Sequence, residues 1–127
     1  MGFTHVAVKL KQIGADLFYT ADFLVDTATT DAIAPASELR KIGVKPRGTR
    51  MYELASGELV EYQYGFVEIE LLGELTVTEM AFGPDDVEPL LGVIALEAAG
   101  FIVDPKNERL RKLRARPLKA VALKSVA

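Results

Sequence analysis

Turn-forming residues interrupt this chain at short intervals, and the apolar segments between them are too brief for long helices. Punctuation falls at Gly14, at the small polar stretch 26–32 (DTATTDA), at Gly43, at Gly57, across residues 83–89 (GPDDVEP), at Gly100 and at Asp104-Pro105. Several intervening segments alternate apolar and polar residues, the period of a half-buried strand. In residues 3–10, Val6, Val8 and Leu10 share one face. The pattern predicts a mainly β domain of antiparallel strands, with short helices only at 35–42 and 93–99.

The individual segments follow from that period. Residues 18–26 form a second strand that becomes wholly apolar at Phe23-Leu24-Val25 and stops at Asp26. Continuous apolarity predicts burial on both faces. Pro35 suits the first position of a helix, where a missing N–H costs nothing. Leu39 and Ile42 lie three apart, and Gly43 suits the C-terminal cap. Residues 50–54 and 59–64 read as the arms of a hairpin with tip Ala55-Ser56-Gly57-Glu58. Its tip has little apolar surface to pin it down, so it is expected to be more mobile than the sheet beneath. Strands at 66–72, with Phe66, Ile69 and Leu71 in the core, and at 75–82 come next. Residues 101–103 are a last core strand, and 109–114 and 118–126 are candidate edge or interface strands.

Composition excludes several chemistries. The 127 residues make one domain, since cores rarely split below about 200 residues. There is no cysteine, so disulfide scaffolds, thiol nucleophiles and thiolate zinc sites are out. A single histidine, His5, cannot build a His-rich metal site, and with no acid near it in sequence it makes a poor partner for a nucleophilic serine. No apolar run has the length of a membrane span, and the first residues lack the layout of a signal peptide, which places the chain in the cytoplasm by default. Asp85, Asp86 and Glu88 lack calcium-loop spacing and read as a solvated turn.

Charge is unevenly spread. Residues 1–104 carry seven basic and seventeen acidic side chains, whereas residues 105–127 carry eight basic and one acidic. A basic tail is one signature of nucleic-acid binding. No aromatic residue interleaves with these cations, so a stacking platform is lacking and a solvated tail is the plainer reading.

Among the seven aspartates, Asp26 stands out. A carboxylate at the end of a buried strand is costly unless it is hydrogen-bonded or functional. The small hydroxyl residues Thr27, Thr29 and Thr30 could supply such bonds and leave room for a ligand; on spacing alone, a turn or capping role is the ordinary alternative.

The segment Phe23-Leu24-Val25-Asp26-Thr27-Ala28 resembles the active-site motif of retropepsin-like aspartic proteases, apolar-apolar-Asp-Thr/Ser-Gly. Further elements follow in the family's order. Thr29-Thr30-Asp31-Ala32-Ile33 is similar to the segment after the motif, the hairpin over 51–64 occupies the place of the flap, and Leu90-Leu91-Gly92 with the helix behind it resembles the turn that braces the active-site loop. The likeness spans roughly residues 5–115 and is to the single-lobe, stand-alone type found in prokaryotes.

The resemblance implies a closed antiparallel β fold over 1–117, with 118–127 a basic tail or a dimer-interface strand. It implies an endopeptidase with Asp26 catalytic and Thr27, Ala28 and Thr29 supporting the loop. Asp31, Ala55, Ser56 and Gly57 would contact substrate, while Leu90, Leu91 and Gly92 would brace the loop. The chain holds one such motif, so the implied site needs two copies in a homodimer acting on a peptide or protein, with no metal and no cofactor; no membrane partner is expected, and nucleic acid, suggested only by the charge of the tail, is the less favoured partner. One position departs from the family: Ala28 stands where it has glycine. The added methyl implies a weak protease, or a silent module that dimerises and binds peptides.

Overall fold

The computed structural model describes residues 4–104, 106–107, 109–116 and 118. In chain order the elements are β1 (Thr4–Lys11), β2 (Phe18–Val25), β3 (Ala32–Pro35), α1 (Ala36–Lys41), β4 (Gly48–Glu53), β5 (Leu59–Leu71), β6 (Glu74–Gly83), β7 (Leu90–Leu91), α2 (Val93–Ala99), β8 (Phe101–Asp104) and β9 (Arg109–Lys112). The fold is mainly β, with helices of six and seven residues.

Seven strands form one mixed sheet in the order β1-β2-β7-β3-β6-β5-β4. β1 also pairs with β5 through Lys9–Lys11 and Glu68–Glu70, so the sheet curls back on itself and only β4 stands outside the ring. Most pairings are antiparallel, but β2–β7 and β3–β6 are parallel. β8 and β9 form a separate two-stranded ribbon, tied to the main sheet by Lys112 Nζ, 3.0 Å from Glu74 Oε2. The interior of the ring holds Val8, Leu10, Phe23, Ile69, Met80 and Leu91, with Leu39 of α1 and Leu96 of α2 packed into the same core. Each such side chain contributes about 1.5–3 kcal/mol through burial. Among the described residues, no helix is long and apolar enough to cross a membrane.

Several elements differ from the sequence-based reading. Ala32–Pro35, expected to lie between a small-residue turn and a helix start, is a strand. It pairs with β6 along its length and with β7 at Ile33. Pro35 is therefore the last strand residue and the N-cap of α1, not its first helical residue. No side chain of α1 caps it; Asp85, read as part of a solvated turn, accepts the Ser37 N–H at 3.1 Å.

The two strands expected at 59–64 and 66–72 are one thirteen-residue strand running through Gly65. Gly65 is buried because another segment crosses close by: a Cβ there would lie 2.8 Å from the Lys45 carbonyl oxygen and 3.2 Å from both Val44 and Phe82. Glycine here marks close approach and not a break. With the strand unbroken, Val67, Ile69 and Leu71 face the core, and Phe66 falls on the outer face, 38% exposed. In β2, Phe23 and Val25 are buried but Leu24 between them is only partly covered. The expected strand at 118–126 lies outside the described residues apart from exposed Leu118.

Replacing Gly65 by alanine forces the Lys45 segment away from β5. Overpacking of this kind costs about 1–3 kcal/mol. Urea unfolding of Gly65→Ala is expected to show a lower midpoint with an unchanged slope.

Candidate active site

Asp26 emerges from β2 at a point held by a two-residue strand. Leu24 N–H donates to the Pro89 carbonyl at 2.9 Å, and Asp26 N–H donates to the Leu91 carbonyl at 3.0 Å. The chain then turns on the aspartate itself. Asp26 Oδ1 accepts the Ala28 N–H at 3.0 Å, and the Asp26 carbonyl accepts the Thr29 N–H at 3.1 Å. Such a side-chain-closed turn is a common use of aspartate. Here it also fixes the direction of a half-buried carboxylate.

The loop continues onto the start of α2. The Thr29 carbonyl accepts the Val93 N–H at 2.9 Å, and the Thr30 carbonyl accepts the Ile94 N–H at 3.2 Å. The first N–H groups of a helix have no partner within it, so the loop supplies what the helix lacks. Gly92 makes this approach possible. A Cβ on Gly92 would lie 2.4–2.6 Å from the carbonyl oxygens of Thr29, Thr30 and Asp31. Its φ of −90° is open to any residue, so the requirement is for space, not for backbone freedom.

Across from this loop stands the β4–β5 hairpin. Its turn closes through Leu54 N–H to the Glu58 carbonyl and Gly57 N–H to the Leu54 carbonyl, both at 2.8 Å, with Gly57 at a φ of 89° that favours glycine. Loop and hairpin enclose a cavity of about 710 Å³. Of the residues singled out from sequence, Asp26, Ala28, Thr29, Asp31, Ala55 and Leu90 line it together. Thr27 is exposed on the loop, and Ser56 and Gly57 at the hairpin tip stand outside the lining. Leu91 is buried and Gly92 lies beneath the loop, where both brace rather than line.

The cavity also recruits aromatic residues of the hairpin arms. Tyr52 and Tyr62 line it, their rings 6.0 Å apart. Tyr52 Oη donates to Asp31 Oδ2 at 3.3 Å, linking hairpin to loop. Burial, then the nearby Asp31 charge, push the Tyr52 phenol up to about 12. Arg50 lines the same wall; it donates through Nη2 and Nε to Glu79 at 2.6 and 3.0 Å and lies 4.1 Å over the Tyr64 ring. Asp31 borders a second, smaller cavity of about 360 Å³, with Phe66, Val77, Glu79 and Ile94 among its walls. No short-range sequence signal pairs Tyr52 with Asp31, because twenty-one residues separate them.

His5 lies elsewhere. His5 Nε2 is 3.2 Å from Glu88 Oε2, an exposed pair outside either cavity. Among the described residues, no group of three or more His, Asp or Glu side chains is placed to hold a metal ion.

A scan of known protein-family models finds none that matches this chain, and no curated protein matches it with significance.

Gly92→Ala is expected to displace the 29–31 backbone, since all three obstructing atoms are backbone. Amide shifts at Thr29, Thr30 and Asp31 should move while those of β5 stay, with a stability loss of about 1–3 kcal/mol. Tyr52 gives a pH signature. Its phenol holds its proton more tightly folded than unfolded, so its stabilisation is complete below pH 10 and is lost as pH climbs from 10 towards 12. Ultraviolet titration should show Tyr52 ionising late, and Asp31→Asn should bring it back towards 10.

Proposed function

We propose that this chain is a retropepsin-like aspartic endopeptidase that works as a homodimer. The observation that carries the reading is the Asp26 carboxylate, fixed by the Ala28 N–H at the edge of a cavity roofed by a hairpin. The ring-like sheet, the flap-like hairpin and the glycine-braced loop support the same reading, as does the order in which they occur along the chain.

One copy supplies one carboxylate. The exposed top of the loop, Thr27-Ala28, is available to meet the same loop of a second copy across a two-fold axis. Two carboxyl groups brought within about 3 Å cannot both ionise, so they share one proton. The ionised member takes a proton from water, and the oxygen attacks the peptide carbonyl. The protonated member gives its proton to the carbonyl oxygen as the tetrahedral adduct forms. Collapse of the adduct breaks the C–N bond: the proton taken from water is delivered to the amine nitrogen, and one hydroxyl of the adduct returns its proton to the other carboxylate, which restores the single shared proton of the dyad. The hairpin closes over the peptide and excludes bulk water, the usual task of such a lid. This chemistry needs neither a thiol nor a metal.

Ala28 bears on rate. The donor to Asp26 is a backbone N–H that alanine retains. The only non-glycine with positive φ among the described residues is Leu72, so Ala28 carries no left-handed strain. What remains is its methyl group, exposed on the loop where a second copy and a peptide must approach. That methyl favours a second reading: a dimeric module that binds peptides and turns them over slowly or not at all.

Cleavage of a diverse peptide mixture tests both. Asp26→Asn is expected to lower the rate about 10²–10⁴-fold, the usual share of an acid–base group. Ala28→Gly should raise it by up to about a hundredfold, the cost of misplacing reacting groups by about 1 Å. Cleavage surviving Asp26→Asn removes the mechanism; no cleavage by either the unsubstituted chain or Ala28→Gly leaves the binding module. Sedimentation at tens of micromolar (roughly the range of weak dimers) should show a dimer.

A further inference from the structure

We infer that the cavity selects peptides carrying a lysine or arginine side chain at the position facing Asp31, beside apolar residues. The inference rests on the peptidase reading of the cavity and names its substrate class.

Charge around this cavity is unbalanced. Among the described residues, four charged side chains line it: Asp26, Asp31, Glu53 and Arg50. Arg50, the one cation among these four, is held by two hydrogen bonds to Glu79, which lies outside this lining. Its charge is already answered, so it neither neutralises the wall nor recruits an acidic ligand. Asp26 and its symmetry mate share a proton in the proposed dyad. Among the described residues, no cation pairs with Asp31 or Glu53.

Asp31 is the better placed of the two. It is half-buried, whereas Glu53 is exposed at the end of β4. Tyr52 Oη occupies Asp31 Oδ2. Among the described residues, nothing donates a hydrogen bond to Asp31 Oδ1. A half-buried carboxylate oxygen without a donor is where a ligand cation gains most. Ile33, Leu90, Met51 and Leu54 supply apolar wall on the same cavity. A lysine or arginine suits this mixture, with its methylene stem on apolar surface and its head on the acid. Asp31 also borders the second cavity, where Phe66, Val77 and Ile94 are partly exposed, so a long side chain has room to pass it.

The test reads binding, so that turnover is a separate question. Fluorescently labelled ten-residue apolar peptides, identical except for lysine, glutamine or glutamate scanned along them, are titrated with the Asp26→Asn chain. At one position the lysine peptide should bind at least about tenfold more tightly than the glutamate peptide. Raising salt from roughly 0.02 to 0.5 M should shrink that ratio. Asp31→Asn should abolish it and Asp31→Lys should reverse it. Asp86→Asn, the same charge change on an exposed turn, should leave it intact. If the Asp31 variants do not fold, Tyr52→Phe serves instead: freeing Oδ2 should strengthen the lysine preference. Equal binding of lysine and glutamate peptides overturns the inference, as do equal losses from Asp31→Asn and Asp86→Asn, or a preference unmoved by Tyr52→Phe. A lysine preference without cleavage by the unsubstituted chain sinks the peptidase reading alone; cleavage without the preference sinks this inference alone.

Discussion

The site depends on backbone meeting backbone with nothing between. Under residues 29–31 the chain has no side chain at Gly92, and three carbonyl oxygens occupy the volume a Cβ would take. That contact lets the carbonyls of Thr29 and Thr30 accept the Val93 and Ile94 N–H groups. Loop and α2 thereby become one unit. The same short segment holds Asp26 through the Leu91 carbonyl and pairs with β2 on one side and β3 on the other. A two-residue strand would be negligible at a sheet edge. Between two neighbours it fixes the height and direction of the loop that carries the carboxylate.

Features set by local chemistry were legible in the sequence. The hairpin tip follows from Gly57, the end of α2 from Gly100 at a φ of 88°, and the inward face of β1 from the alternation of Val6, Val8 and Leu10. Asp26 stood out because a carboxylate ending an apolar strand is unusual, and it does line the cavity. Features set by distant contacts were not legible. Ala32–Pro35 has almost no strand signal of its own and is a strand because β6 and β7 flank it. Gly65 looks like a break until Lys45 is seen crossing over it. Misreading it shifts the phase and sends Phe66 to the wrong face. Tyr52 is an unremarkable sheet aromatic until the fold brings Asp31 to its hydroxyl.

The asymmetry of charge has a modest structural expression. Lys112, in the basic segment, meets Glu74 at the start of β6, and Arg50 meets Glu79 further along the same strand. An exposed single pair such as Lys112–Glu74 contributes little to stability. Arg50–Glu79 is two-pronged and stacked on Tyr64, the geometry in which arginine gives direction as well as attraction. Its larger effect is orientational: it holds Arg50, which also lines the cavity, against β6.

That clamp also acts as a fulcrum. Arg50 lies on β4 and Glu79 on β6, with β5 between them, so the base of the hairpin is bolted across three strands. Beyond Arg50, towards the tip, the side-chain tether from the hairpin to the loop among the described residues is the 3.3 Å bond from Tyr52 to Asp31. A single hydrogen bond of this kind contributes about 1 kcal/mol net. The hairpin is thus a short lever with a stiff pivot and a weak catch. Losing the catch would cost little beside the pairings that hold the ring of strands below. The residues above the pivot, 51–61, are thus held to the loop far more weakly than the strands that position Asp26 are held to one another.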